Sequence, residues 1–390
     1  MNEWKARKRR NPGENKVFEQ TSVEIAKLAV NYSLEVKPGD AVLIRGSELA
    51  ADLLRAAFVE VLRAGGNPHV DVRLSGLEEL LMHHADDDQL WYLNYFDEVM
   101  ADGFDKFLFV RAEHNPRRME SFDAERVKRY NSSPKRLEML SDFYARDAEG
   151  KLKWVLVPAV CDAFAQEAGM DLYAYERFVR WALRLEQGGD PVEQWRRFEE
   201  RQEALVQRLS RAGEIRVVGP DTNLTLSVAG RKWINCAGRV NLPDGEVFTG
   251  PVEDSVEGTI RFTFPVLHKG HTVRDARLTF REGRVVEATA AEGEDYFKSL
   301  VAVEGGDRVG EFAFGTNYAI DRFTRNILFD EKMGGTIHLA LGLGFPATGS
   351  LNKSSIHIDL IKDMSAPGAR AYVDGELFYE GGKFTGWDPA

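Results

Sequence analysis

Cysteine is scarce in this chain: two residues, Cys161 and Cys236, among 390. Their number and separation exclude a disulfide framework and a cysteine-rich zinc site, and they suit a reducing cytoplasm. A metal, if one is held, must be held by histidine and carboxylate. Long apolar runs are missing too. None approaches the roughly 18–20 residues needed to cross a bilayer, so no membrane partner is expected. Positive charge is in deficit, and a net charge of −11 argues against general nucleic-acid binding. The one basic cluster, Lys5-Ala6-Arg7-Lys8-Arg9-Arg10, is not followed by an apolar segment. It reads as a solvated tail rather than a secretory signal. No G-x-G-x-x-G follows Ile44 and no G-x-x-x-x-G-K-[ST] occurs, so nucleotide binding has no positive support. The absence of a G-x-S-x-G elbow weakens a serine hydrolase reading.

What is present is the composition of a folded protein, 43% hydrophobic and 29% charged, with length enough for two domains. In the first half, strand-like runs (Ala41 to Arg45, His69 to Leu74, Lys106 to Arg111, Lys153 to Val157) alternate with helical ones. Glu48 to Ala64 has helical spacing and Gly65-Gly66 ends it. A charged helix over Glu120 to Arg146 must break at Ser132-Ser133-Pro134. This rhythm predicts an α/β N-terminal domain with a mostly parallel sheet, residues 1–212. Its last part, Tyr173 to Arg211, reads as a helical linker with Trp181, Leu185, Trp195, Phe198, Leu205 and Leu209 as candidate buried positions. From Glu214 the texture becomes short β-rich runs separated by Gly, Pro, Asn and Asp, with a hairpin turn at Arg281-Glu282-Gly283-Arg284. Residues 213–390 are therefore expected to form a β-rich α+β domain.

Four stretches of that second half share one design. Pro243-Asp244-Gly245 presents Glu246 at the start of an apolar strand. In an extended chain alternate side chains share a face. Glu311 then lies beside Ala313 and Gly315, and His338 beside Ala340 and Gly342, while Phe312, Phe314, Ile337, Leu339 and Leu341 turn away. His357 and Asp359 likewise share a face. Ligand-type residues next to small neighbours leave a hollow. Two glutamates, two histidines and an aspartate suffice for one or two divalent ions, and mixed imidazole and carboxylate donors suit Zn, Mn, Co or Fe(II) better than Ca or Mg. A metal pair could activate a water, with a spare glutamate as base. The plainer alternatives are a solvent-exposed turn residue at Glu246 and a hydrogen-bonded core histidine at His338. His268 and His271, and the pair His83-His84, read as surface features.

The ordered set Asn241 to Thr249 (NLPDGEVFT), Val256 to Thr259, Gly310-Glu311, Asp330-Glu331-Lys332, Ile337 to Gly342 (IHLALG) and Asn352 to Asp359 (NKSSIHID) resembles the thermophilic-type metallo-aminopeptidases, the aminopeptidase T, aminopeptidase S and leucyl aminopeptidase group. Leu28 to Gly39 and Val42 to Arg45 are also similar, so the likeness spans nearly the whole chain. It implies a peptide substrate, a homodimer, and two divalent ions per subunit (Zn, Co or Mn) held by Glu246, Glu311, His338, His357 and Asp359. Glu331 resembles a further family ligand, with Gly334-Gly335 lengthening the loop that follows it. Glu246 or Glu311 would serve catalysis. The family's tyrosine position is occupied by Phe345, in Gly342-Leu343-Gly344-Phe345-Pro346, which lacks a hydroxyl to donate to an oxyanion. That departure leaves open a peptidase-like protein of reduced activity. It also leaves open a non-haem iron dioxygenase on the same scaffold, with His338, His357 and Asp359 as its triad.

Overall fold

The structure, a computed structural model, describes residues 17–388; the basic run Lys5 to Arg10 lies outside the described residues. The first half is built on a four-stranded sheet in the order Asn67–Arg73, Ala41–Ser47, Lys106–Arg111, Lys153–Pro158, all parallel. Strands covered on both faces need continuous apolar runs. Val42, Ile44, Leu108 and Val155 enter one core, while Leu43 and Phe107 pack with Phe143 on the other face. The charged helical stretch is two helices, Ala124–Asn131 and Pro134–Ala148, because Pro134 takes the first turn of the second. No helix among the described residues is long and apolar enough to cross a membrane.

The second half holds a small two-stranded sheet, Val266–His268 with His271–Val273, and two large antiparallel sheets. The larger runs Arg284–Thr289, Arg277–Arg281, Glu257–Arg261, Thr222–Ser227, Glu214–Gly219, Arg370–Val373, Glu376–Glu380, Lys383–Phe384. The smaller runs His357–Asp363, Thr336–Gly342, Val309–Gly315, Glu246–Thr249, Ile234–Cys236. Their facing sides share one core, in which Ile215, Val217, Leu224 and Leu226 join Val247, Phe312, Phe314, Leu339 and Leu360. The hairpin at Arg281 to Arg284 has both central residues, Glu282 and Gly283, at positive φ (50° and 72°), the geometry of a tight two-residue turn.

The linker is two helices, Leu172–Ala182 and Pro191–Leu209. Leu185, Trp195, Phe198, Leu205 and Leu209 are buried as expected. Trp181 is not; it is 47% exposed, because Tyr175, Phe178, Val179 and Ala182 take the inward stripe of its helix. The long helix serves both cores: Val192, Trp195 and Phe198 enter the first, Leu205 and Leu209 the second. Residue 212 thus marks a change of sheet type, not a gap between cores. The segment before Glu246 ties the halves further. Leu156 N–H donates to the Val240 carbonyl at 2.8 Å, and Leu242 N–H to the Leu156 carbonyl at 3.0 Å.

Candidate metal centre

The outer face of the five-stranded sheet gathers the chemistry. Cross-strand register puts Ala340 opposite both Glu311 and Asp359, and Ala313 between Phe248 and His338. The alanines keep the floor low where the ligand-type side chains converge. Gly310 is needed here for close approach: a Cβ on it would lie 2.4 Å from the Leu343 carbonyl oxygen. The strand pairing shifts register at this point, which re-aims Glu311.

His338 Nε2 lies 3.2 Å from Glu311 Oε1 and 3.4 Å from Glu246 Oε2. His357 Nε2 lies 3.5 Å from Glu311 Oε2 and 3.6 Å from Asp359 Oδ1. Glu311 therefore presents one oxygen to each histidine, as a bridging carboxylate would. His357 Nδ1 donates to the Leu343 carbonyl at 2.8 Å, which fixes the ring so that Nε2 faces the carboxylates. Phe345 stands at the rim, 39% exposed, its ring 5.1 Å from His357 and 5.4 Å from Phe248 between centroids.

Three residues outside the sequence-read set belong to this cluster. Lys332 is fully buried, and its Nζ bonds Glu246 Oε1, lies 2.7 Å from Glu331 Oε1 and 3.7 Å from Asp244 Oδ1. Asp244 also accepts from the Gly238 and Gly245 N–H groups at 2.9 Å. Cys236 pairs directly with Glu246 across the strands. Lys332 follows Asp330-Glu331 in the sequence, a run of charges that reads locally as solvated, so no local signal marks it. The histidine pairs outside the sheet do not join in. His83 and His84 are exposed. His268 is half-buried rather than a surface residue; its Nδ1 lies 2.7 Å from the Tyr296 hydroxyl, and burial pushes its pKa down to about 4.

Electrostatics test whether the set fits a metal. Asp244, Glu246, Glu311, Glu331 and Asp359 are buried or half-buried in this cluster, and one ammonium, Lys332, lies against three of them. With neutral imidazoles that leaves a formal excess of four negative charges, far more than a low-dielectric interior tolerates. Protons compensate in the metal-free protein. Burial pushes Glu331 up to about 8, against the pull of Lys332, and Asp244 up to about 6. Burial opposes charge on His338 and His357, but the carboxylates outweigh it and push both up to about 9. Burial acts upward on Asp359 as well, yet the bond and charge of His357 hold it below the usual carboxylate range. Glu246 Oε2 and His338 Nδ1 are buried without a hydrogen-bond partner. Glu246, Glu311 and His338 bring ligand atoms within 4.8 Å of one another. An orphaned carboxylate oxygen beside a histidine nitrogen, in a field short of cations, is what a divalent ion completes.

A model of the thermophilic metalloprotease (M29) family matches residues 18–384. Among curated proteins, the chain is 25% identical to Aminopeptidase 2 of Geobacillus stearothermophilus over 88% of this chain and 92% of the relative. It is 26% identical to Aminopeptidase AmpS of Bacillus subtilis over 94% and 99%, and 27% identical to Aminopeptidase T of Thermus aquaticus over 76% and 77%. The solved structure of AmpT from Thermus thermophilus superposes with a TM-score of 0.80 at 23% identity, covering 94% of this chain and 99% of that one. A 2,5-dihydroxypyridine dioxygenase from Pseudomonas putida gives 0.60 at 13% identity, covering 97% and 99%. At these identities the two structures establish a shared fold and nothing more.

Proposed function

We infer, from the premise that this chain belongs to the thermophilic metalloprotease (M29) family, that it is a metal-dependent aminopeptidase releasing N-terminal residues from peptides. The observation that carries the reading is the position of Glu311, with one carboxylate oxygen at 3.2 Å from His338 and the other at 3.5 Å from His357. Glu246, Glu311, His338, His357 and Asp359 hold two divalent ions in this reading, with Glu331 at the margin of the set. Zn, Co and Mn all match the mixed imidazole and carboxylate donors. Bound ions of this kind supply Lewis acidity toward a peptide carbonyl and lower the pKa of an attacking water.

The chain's own groups do the rest. Lys332 holds one oxygen of Glu246 and turns the other toward His338. The Leu343 carbonyl fixes the His357 ring. A carboxylate left free of metal would take the proton from the water. Phe345 closes the rim with an apolar edge where a hydroxyl would have donated to the developing oxyanion. Losing such a donor costs on the order of 2.7–4 kcal/mol of transition-state stabilisation, so a slow enzyme follows. A mononuclear iron site on His338, His357 and Asp359 is disfavoured by Glu246 and Glu311, which such a triad does not require. The homodimer and the cytoplasmic location belong to the same proposal; the family resemblance supports the first and the two unpaired thiols, Cys161 and Cys236, support the second.

The test is metal content and turnover on purified protein. Two zinc, cobalt or manganese ions per subunit, with hydrolysis of aminoacyl anilides or dipeptides that chelation abolishes, are expected. One iron per subunit, or no turnover across a broad panel with all three metals, overturns the reading.

A further inference from the structure

Two donor clusters meet at Glu246, whose two oxygens have different partners. Glu246 Oε2 faces Glu311 and His338. Glu246 Oε1 is bonded to the Lys332 ammonium, and Glu246 also belongs to a group with Cys236 and Asp244. Cys236, Asp244 and Glu246 bring one ligand atom each to within 4.8 Å of one another, which is the donor spacing of a metal site in its own right. Strand pairing builds that spacing: Cys236 lies directly opposite Glu246, and the turn before Glu246 supplies Asp244. This second cluster is not vacant. The Lys332 ammonium sits against it, bonded to Glu246 Oε1, 3.7 Å from Asp244 Oδ1 and 2.7 Å from Glu331 Oε1.

We propose that Lys332 is a resident cation filling a third cation position of the carboxylate cluster, so that the centre accepts two exchangeable ions and no more. The inference rests on the metal-centre reading above and goes beyond it by assigning the ion count to a side chain. An ammonium is a compact point charge with three donors, and here three carboxylates surround it. Unlike an ion, it cannot be chelated or exchanged. It commits one oxygen of Glu246 permanently, which leaves the other to face His338. It also occupies the cluster to which Cys236 belongs, which keeps a thiol-seeking metal out of it. Lys332 is thus a positioning residue. It touches no substrate and acts through Glu246 and Glu331.

The experiment compares the full-length wild type with Lys332→Ala and Lys332→Met, each loaded with cobalt(II) and freed of loose metal. The alanine variant opens the position; methionine fills it with an apolar stem. Lys332→Ala is expected to bind one cobalt more than the wild type and to gain the thiolate-to-cobalt charge-transfer absorption that the wild type lacks. Adding Cys236→Ser to that variant removes the absorption, and Lys332→Met shows neither change. Wild-type cobalt content without a thiolate band in Lys332→Ala overturns the proposal. So does failure of Lys332→Ala to fold even in excess cobalt, because an ion able to replace the ammonium would satisfy the same three carboxylates. A wild type that binds no cobalt at all sinks the metal-centre reading itself, which separates the two failures.

Discussion

The two faces of the five-stranded sheet share one backbone and have opposite purposes. On the inner face Val247, Phe312, Phe314, Ile337, Leu339, Leu341, Ile358 and Leu360 are buried against the eight-stranded sheet. On the outer face the same strands carry Glu246, Glu311, His338, His357 and Asp359, linked in a chain of histidine–carboxylate contacts of 3.2 to 3.6 Å. Burial of apolar area stabilises the first face, at roughly 25 cal/mol per Å². Burial of like charges destabilises the second until ions or protons neutralise it. The lesson is that strand alternation lets one element hold a rigid foundation and a costly site back to back. Ligand positions are then fixed by packing that the ligands do not provide.

Paired substitutions on adjoining strands break this comparison most severely. Glu311→Gln keeps the shape and removes the charge shared by both histidines. It is expected to lower kcat/KM by on the order of 100-fold or more, since even residues one shell further out cost 10–100-fold. The melting temperature of the metal-free protein should stay the same or rise, because one member of an over-charged cluster is gone. Leu339→Ala, next to His338 but facing inward, does the reverse. It should cost about 2–5 kcal/mol of folding stability while metal content per folded subunit is unchanged. Denaturant unfolding and metal analysis on both proteins check the pair. A stability loss in Glu311→Gln as large as that in Leu339→Ala would end the division of labour.

Much of this arrangement is legible in the residues. Period-two alternation around Glu311, His338 and His357 puts these side chains on one face and the core on the other, because a strand leaves no other choice of face. The parallel sheet is legible too, since strands such as Lys106–Arg111 read as continuous apolar runs. Lys332 and Asp244 are not legible as cluster members. Their roles depend on a fold that brings the turn at Asp244 and the segment after the Ile327–Asp330 helix together from 88 residues apart, a juxtaposition that no local pattern records. Trp181 fails for a different reason. Its helix has more large apolar residues than one stripe can bury, and spacing alone does not say which is left outside.

A smaller effect sharpens the contrast at the rim, where the outer face meets solvent. Phe345 packs edge-on against His357 and Phe248 and offers them no polar group. Phe345→Tyr adds one hydroxyl to a side chain already 39% exposed, so the fold should tolerate it. The expected outcome is a rise in kcat of about 10- to 100-fold on aminoacyl anilides with KM little changed. That is the pattern of an interaction made in the transition state alone, and the upper end corresponds to about 2.7 kcal/mol. An unchanged kcat, or a gain confined to KM, would mean that the missing donor does not limit the chemistry.

The gentlest probe is pH, and it separates the faces without altering a residue. In the metal-free protein His338 and His357 titrate near 9, and Glu331 near 8, all above their unfolded values. The folded state therefore holds protons that the unfolded chain has already released. Stability from such groups is fully present below the unfolded values, about 6.5 for histidine and lower for Glu331, and is lost as pH rises through the folded ones. Asp359, held low by His357, acts in the opposite sense, but only in acid, where its charge is lost. Between about pH 6 and about pH 9 the metal-free melting temperature should therefore fall steadily. Divalent ions require the same groups deprotonated, so loading the protein should flatten or reverse that slope. Calorimetry at several pH values, with chelator and with added zinc or manganese, reads both curves. Parallel curves would mean that the outer face carries no proton-linked strain for an ion to relieve. The inner face, with nothing to titrate, contributes equally to both.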